Sequence, residues 1–131
     1  MKKLLCLLFL STAAFAQHSV TLQGYSWAQG TGDPATSFLF SRSATSGGPY
    51  TALCGGSGQA ACPSIAVNAC GATGQPLCPS YVDLTVAAGQ TYFYVVQACN
   101  SGGNSGFSNE TKAVVPFLQP TSPSGLQNTA K

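Results

Sequence analysis

The stretch Thr91-Tyr-Phe-Tyr-Val-Val-Gln-Ala98 decides the fold, because it is the longest and most aromatic β-type run in the chain. Side chains alternate across a strand, so Tyr92, Tyr94 and Val96 share one face. The opposite face is also largely apolar. A strand that is apolar on both faces is typical of the centre of a sheet. We therefore expect Tyr92, Tyr94 and Val96 to lie in the core.

Shorter β-type runs lie on both sides of this central run. Gly, Ser, Thr and Pro separate them about every ten residues, whereas helix signals are scarce and Glu occurs once. Many short strands with turn residues between them predict an all-β sandwich or barrel. The other predicted strands are residues 19–22, 37–41, 50–53, 81–86 and 113–115.

The charge of the chain is low. Only 6% of the 131 residues are charged, against about a quarter in an average protein. The formal net charge is +2, and two of the five basic residues are Lys2 and Lys3. The remaining chain is close to neutral, so it lacks the basic patch that a nucleic-acid partner requires.

The first residues have the pattern of an export signal. An apolar run at residues 4–10 follows the two lysines, and Ala14-Phe15-Ala16 forms an A-x-A cleavage site. Cys6 has no small residue directly before it, which argues against a lipid anchor. The sequence predicts a signal peptide at 1–16, a domain at 17–116 and a flexible tail at 117–131. We expect a secreted or periplasmic product without a stable membrane anchor.

Several segments together resemble a bacterial fibronectin type III domain. They occur in this order: His18-Ser-Val-Thr-Leu22, Thr45-Ser-Gly-Gly-Pro-Tyr-Thr51, Tyr81-Val-Asp83, Ala88-Gly-Gln-Thr-Tyr-Phe-Tyr-Val-Val96 and Ser108-Asn-Glu110. The resemblance implies an antiparallel, immunoglobulin-like β-sandwich. It also places Tyr92 at the tyrosine corner, where its hydroxyl would bond back to the backbone.

The chain departs from that family pattern near its start. Only the predicted signal precedes His18, so we expect the first strand of the family to be missing. The edge left open could pair with another chain. In addition, the core tryptophan of the family follows the Val-Thr-Leu segment almost directly, whereas here Gln23-Gly24-Tyr25 come between this segment and Ser26-Trp27. Either a bulge absorbs these residues or the strand starts later, and in both cases Trp27 is expected in the core.

A cysteine-rich insertion at residues 54–80 is an internal duplication. Residues 54–64 (CGGSGQAACPS) and 70–80 (CGATGQPLCPS) are identical at seven of eleven positions, with a period of sixteen. The simplest pairing gives one ring per repeat, Cys54 with Cys62 and Cys70 with Cys78. The other two pairings of these four stay open, including Cys54 with Cys78.

The odd cysteine is Cys99, at the end of the central run. It is a free thiol, an intermolecular link or the partner of a loop cysteine. Between the two repeats, residues 65–67 (Ile-Ala-Val) could form a short edge strand.

Catalytic and metal-binding patterns are absent. The cysteine spacing fits neither the close pairs of a zinc site nor the C-x-x-C of a redox protein, and His18 is the only histidine. The acids Asp33, Asp83 and Glu110 each match a turn or an ordinary position of the family. We expect no enzyme activity, no cofactor and no bound metal.

The sequence therefore predicts a secreted, non-catalytic module with a structural or protein-interaction role. One rival is a carbohydrate-binding module that uses exposed aromatic residues such as Tyr25, Trp27 and Tyr50. Another is a small secreted inhibitor or signal, with the cysteine loop as its active part. The partner is expected to be a protein or a polysaccharide of unknown identity.

Overall fold

A computed structural model describes residues 18–64, 69–120 and 122–128. Within these ranges the chain forms strands and loops and no helix, and consequently no helix that could cross a membrane. The predicted signal peptide at 1–16 and the predicted strand at 65–67 lie outside the described residues. The strands are β1 (Val20–Leu22), β2 (Trp27–Ala28), β3 (Ser37–Ser43), β4 (Thr51–Ala52), β5 (Ala69–Cys70), β6 (Tyr81–Asp83), β7 (Thr91–Asn100), β8 (Gly103–Asn104) and β9 (Thr111–Val114).

The larger sheet is built on β7. This strand pairs antiparallel with β3 along one side, from Ser37 opposite Cys99 to Ser43 opposite Phe93. On its other side β9 pairs with the first half of β7 and β8 with its end, while β4 extends the sheet beyond β3. The central position predicted for the aromatic run is thus confirmed.

The facing layer consists of two antiparallel ladders of two strands each. β1 pairs with β6, with Val20 opposite Asp83 and Leu22 opposite Tyr81. β2 pairs with β5, which comes from the cysteine-rich insertion. Among the described residues, no strand pairs with the other edge of β1. The all-β, antiparallel fold class predicted from the sequence is confirmed.

The core lies between these layers and is mainly aromatic. Tyr94, Phe38 and Phe40 are almost completely buried, and Leu22 packs with them. Tyr92, Val96 and Trp27 are partly buried against this cluster. All four residues predicted for the core therefore contact it, but only Tyr94 is fully enclosed.

Some predicted strand ends shift in the structure. β6 ends at Asp83 instead of 86, because the Asp83 carboxylate accepts the Thr85 N–H at 2.9 Å and turns the chain. β7 runs on to Asn100, where a tight turn leads into the unpredicted β8. Trp27 does not extend β1. It forms a separate strand, which pairs with the insertion.

Candidate interaction surface

The insertion closes into two rings of equal size. Disulfides join Cys54 to Cys62 and Cys70 to Cys78, and both pairs span eight residues with Cα atoms 4.9 Å apart. This is the simplest of the pairings that the sequence allowed. Cys99 forms no disulfide with any cysteine in the described part of the chain, and burial raises the pKa of its thiol.

The two rings have the same backbone shape. In the first ring, the N–H of Gly55 donates to the carbonyl of Ala60 at 2.8 Å. In the second, Gly71 donates to Pro76 at 2.7 Å, sixteen residues further along. Each ring has left-handed glycines at matching positions, Gly55 and Gly58 in the first and Gly71 and Gly74 in the second. The sequence duplication is thus a duplication of structure.

Tyrosine hydroxyls fasten the base of the insertion to the sandwich. Tyr81 Oη donates to the carbonyl of Leu53 at 2.8 Å, and Tyr25 Oη donates to that of Pro79 at the same distance. The N–H of Phe38 in β3 donates to the carbonyl of Pro63 at 2.9 Å. The loop is therefore attached at its start, middle and end.

The second ring enters the core more deeply than the first. Cys70 is fully buried in β5 opposite Trp27, and Cys78 belongs to the same core cluster. Gly71 lies so close to the chain that an added Cβ would come within 2.3 Å of the carbonyl oxygen of Tyr25. A side chain there would separate β2 from β5.

The outer parts of the rings are exposed and uncharged. Residues 55–61 and 71–77 all face solvent, and Leu77 is 90% exposed. No charged residue occurs between residues 54 and 80. Gln59 braces the first ring, because its side chain accepts the Gly56 N–H and donates to the carbonyl of Ala52. The surface consequently offers backbone groups, the amides of Gln59 and Gln75, the hydroxyls of Ser57 and Thr73, and one leucine.

A buried carboxylate, that of Asp83, links strands of the β-sandwich beneath this surface. Asp83 accepts hydrogen bonds from Arg42 at 2.7 Å, from Tyr94 Oη at 3.0 Å and from the hydroxyl and N–H of Thr85. Burial by itself raises the pKa of Asp83, but the bonds from Thr85 and Tyr94 and the charge of Arg42 together hold it below its usual value. The ionised carboxylate thus links β3, β6 and β7.

Glu110 has a similar role at the loop between β3 and β4. It accepts hydrogen bonds from the hydroxyls of Ser46 and Tyr50 and from the N–H of Gly47. These bonds hold the pKa of Glu110 below its usual value. The two carboxylates are therefore occupied by separate structural contacts and do not form an acid–base pair.

The remaining predicted residues also have packing roles. Tyr92 Oη accepts the N–H of Ala87 at 3.1 Å, which is the backbone bond expected at a tyrosine corner. Trp27 and Tyr25 pack edge-on against Phe38, with ring centroids 6.0 and 5.1 Å away. Asp33 is exposed. Within the described ranges, no three metal-ligating side chains lie together.

No protein-family model matches the chain, and no curated protein matches it either. Among solved structures it is similar to an Fn3-like protein from Clostridium thermocellum, at 30% sequence identity. The match covers 79% of this chain and 82% of that one, with a TM-score of 0.46. The fold is Fn3-like.

Two features of this Fn3-like sandwich were not predicted from the sequence, the ladder between β2 and β5 and the burial of Asp83. The ladder between β2 and β5 has no signal in the sequence, because two-residue strands are too short to show a period. The buried state of Asp83 was also missed. Its position inside the predicted strand 81–86 does not distinguish a buried carboxylate from an exposed one.

Proposed function

We propose that this protein is a secreted, non-catalytic Fn3-like module that binds a protein partner through the exposed face of its two disulfide rings. One observation carries the proposal. The insertion repeats a single ring geometry and is fastened at its base to an aromatic core, while its outer residues are exposed to solvent. Such preorganisation lowers the entropy cost of binding.

The chemistry of the ring face narrows the kind of partner. Without charges between residues 54 and 80, long-range electrostatic steering contributes little, so we expect binding to be nearly independent of salt. Leu77 supplies an apolar anchor and Gln75 an amide. Two cystines are consistent with an extracellular location, where disulfides persist.

The sugar-binding rival has less support. Tyr25 and Trp27 are partly buried against Phe38, and the hydroxyl of Tyr25 is bonded to Pro79. Tyr50 is bonded to Glu110 and its ring lies 5.2 Å from that of Phe107. These aromatic rings stabilise the frame and do not form a continuous exposed platform.

Site-specific photo-crosslinking tests the proposal. A photoreactive phenylalanine analogue is placed at Leu77 in one variant and at Leu84 in the control, an exposed leucine outside the rings. After expression in the source cells, we expect a discrete protein adduct from position 77 and none from 84. Adducts of equal yield at both positions, or no adduct at 77, would contradict the proposal.

The mass of the exported protein tests export, and its number of reactive thiols tests ring formation. We expect the exported protein to have the mass of residues 17–131 less four hydrogens, with one reactive thiol after denaturation. Retention of residues 1–16, or five reactive thiols, would contradict secretion with two rings. A shift of Trp27 fluorescence on adding polysaccharide would instead favour the sugar-binding rival.

A further inference from the structure

One side of the sandwich is open. A cavity of about 310 Å³ lies between β1 on one wall and β7 and β9 on the other, and its lining includes Val20, Leu22, Val96 and Ala113. A second cavity of about 340 Å³ shares Gly24, Tyr25 and Val96 with the first, among other residues, and extends the opening toward Phe107. We call the two together the side groove.

The side groove borders an unpaired strand edge. β1 forms its ladder with β6 alone, and the described residues form no backbone ladder on its other edge. An extended segment laid along this edge would satisfy the free backbone groups and cover the apolar lining at the same time. The groove therefore fits a β-strand better than a compact ligand.

The C-terminal tail has exposed apolar side chains that could pack in this groove. Leu126 is completely exposed and Leu118 is about half exposed. The described tail, 116–120 and 122–128, carries no charge, and Lys112 is the only charged residue among those that line the first cavity. Beyond Pro123, residues 124–128 contain no proline, so each can donate its N–H to a ladder.

Chain direction favours the tail of a second copy over the chain's own tail. Val115 is bonded to Gly89 and Gln90, in the turn that links β6 to β7, and Val20 at the start of β1 lies opposite Asp83 at the end of β6. The tail thus leaves beside the start of β1, and a direct return along this strand would be parallel to it. Every ladder between the described strands is antiparallel, and a second copy can supply an antiparallel strand.

We propose that residues 124–128 of a second copy add to the outer edge of β1, with Leu126 in the side groove. This inference deepens the proposed function by naming a partner, and it rests on the cleavage of residues 1–16 that the proposed secretion requires. The ring face stays free for other proteins, because its outer residues do not line the groove.

The mass of the exported chain in solution tests the inference. Size-exclusion chromatography with light scattering is run from about 5 to 500 μM on the wild type, on Leu126→Asp and on the control Leu84→Asp. We expect wild type and control to form particles of at least two copies. In Leu126→Asp the dissociation constant should rise at least about tenfold, because the buried leucine is lost.

Hydrogen exchange at the amides of β1 identifies the occupied edge. We expect these amides to be protected in the associated wild type and less protected in Leu126→Asp. Monomeric wild type at all concentrations would overturn the inference, even if β1 is protected, since the chain's own tail would then be the occupant. Association that survives Leu126→Asp would overturn it too. Crosslinking at Leu77 reports on the ring proposal separately, so either idea can fail alone.

Discussion

Removal of one disulfide ring at a time tests how the insertion is built into the protein. The two double variants are Cys54→Ala with Cys62→Ala, and Cys70→Ala with Cys78→Ala, each in a Cys99→Ser background that prevents thiol exchange. Both rings span eight residues, so the loss of chain constraint costs about 2.5 kcal/mol in each case. On sequence alone the two variants should be equally stable.

Burial makes the two rings unequal. Cys54 is the only fully buried cysteine of the first ring, whereas Cys70 and Cys78 are both buried in the second. Each buried sulfur replaced by hydrogen leaves a small cavity that costs about 1 kcal/mol. We therefore expect losses of about 3.5 kcal/mol for the first ring and about 4.5 kcal/mol for the second.

Urea unfolding at pH 7, followed by far-UV circular dichroism, measures these losses. Trp27 fluorescence in the folded state is a local check, because Trp27 lies opposite Cys70 and should change only in the second double variant. Equal losses, or a larger loss for the first ring, would refute the argument from burial. Native Trp27 emission that responds to the first ring instead would refute the pairing of β2 with β5.

Two further predictions follow from buried contacts, each with a matched control. Asp83→Asn should cost about 3–5 kcal/mol at pH 7, because buried donors lose a charged partner, while the exposed Asp33→Asn should cost little. The folded-state pKa of Asp83 lies below its ordinary value of 3.8. The stability difference is therefore fully present well above pH 3.8 and declines as the pH falls below that value toward the folded pKa, and urea titrations from pH 7 downward through pH 3.8 would show the onset of this decline. A difference independent of pH would contradict this. Gly71→Ala and Gly74→Ala both place alanine at φ +79°, which costs about 1–2 kcal/mol, but only at Gly71 does the new Cβ meet the Tyr25 carbonyl. Thermal melts should therefore show a clearly larger loss for Gly71→Ala, and equal melting temperatures would contradict the close approach.

The sequence by itself predicted the fold class and the central strand. The run at 91–98 is apolar on both of its faces, which is a local signal of a central strand, and the structure places β7 between β3 and β9. The sixteen-residue repeat was equally visible, because a duplicated segment can be compared with itself. The equal spacing of the four cysteines left three pairings open, and the structure has the simplest of them, one ring per repeat.

Only the tertiary structure decided what these local features contact. Nothing near Trp27 in the chain indicates that it pairs with Cys70, and nothing near Asp83 indicates that Arg42 and Tyr94 converge on it. The open edge of β1 and the side groove likewise depend on residues far apart in sequence. Strand patterns and repeats are properties of neighbours along the chain, whereas burial, charge pairing and open edges arise when distant segments are brought together.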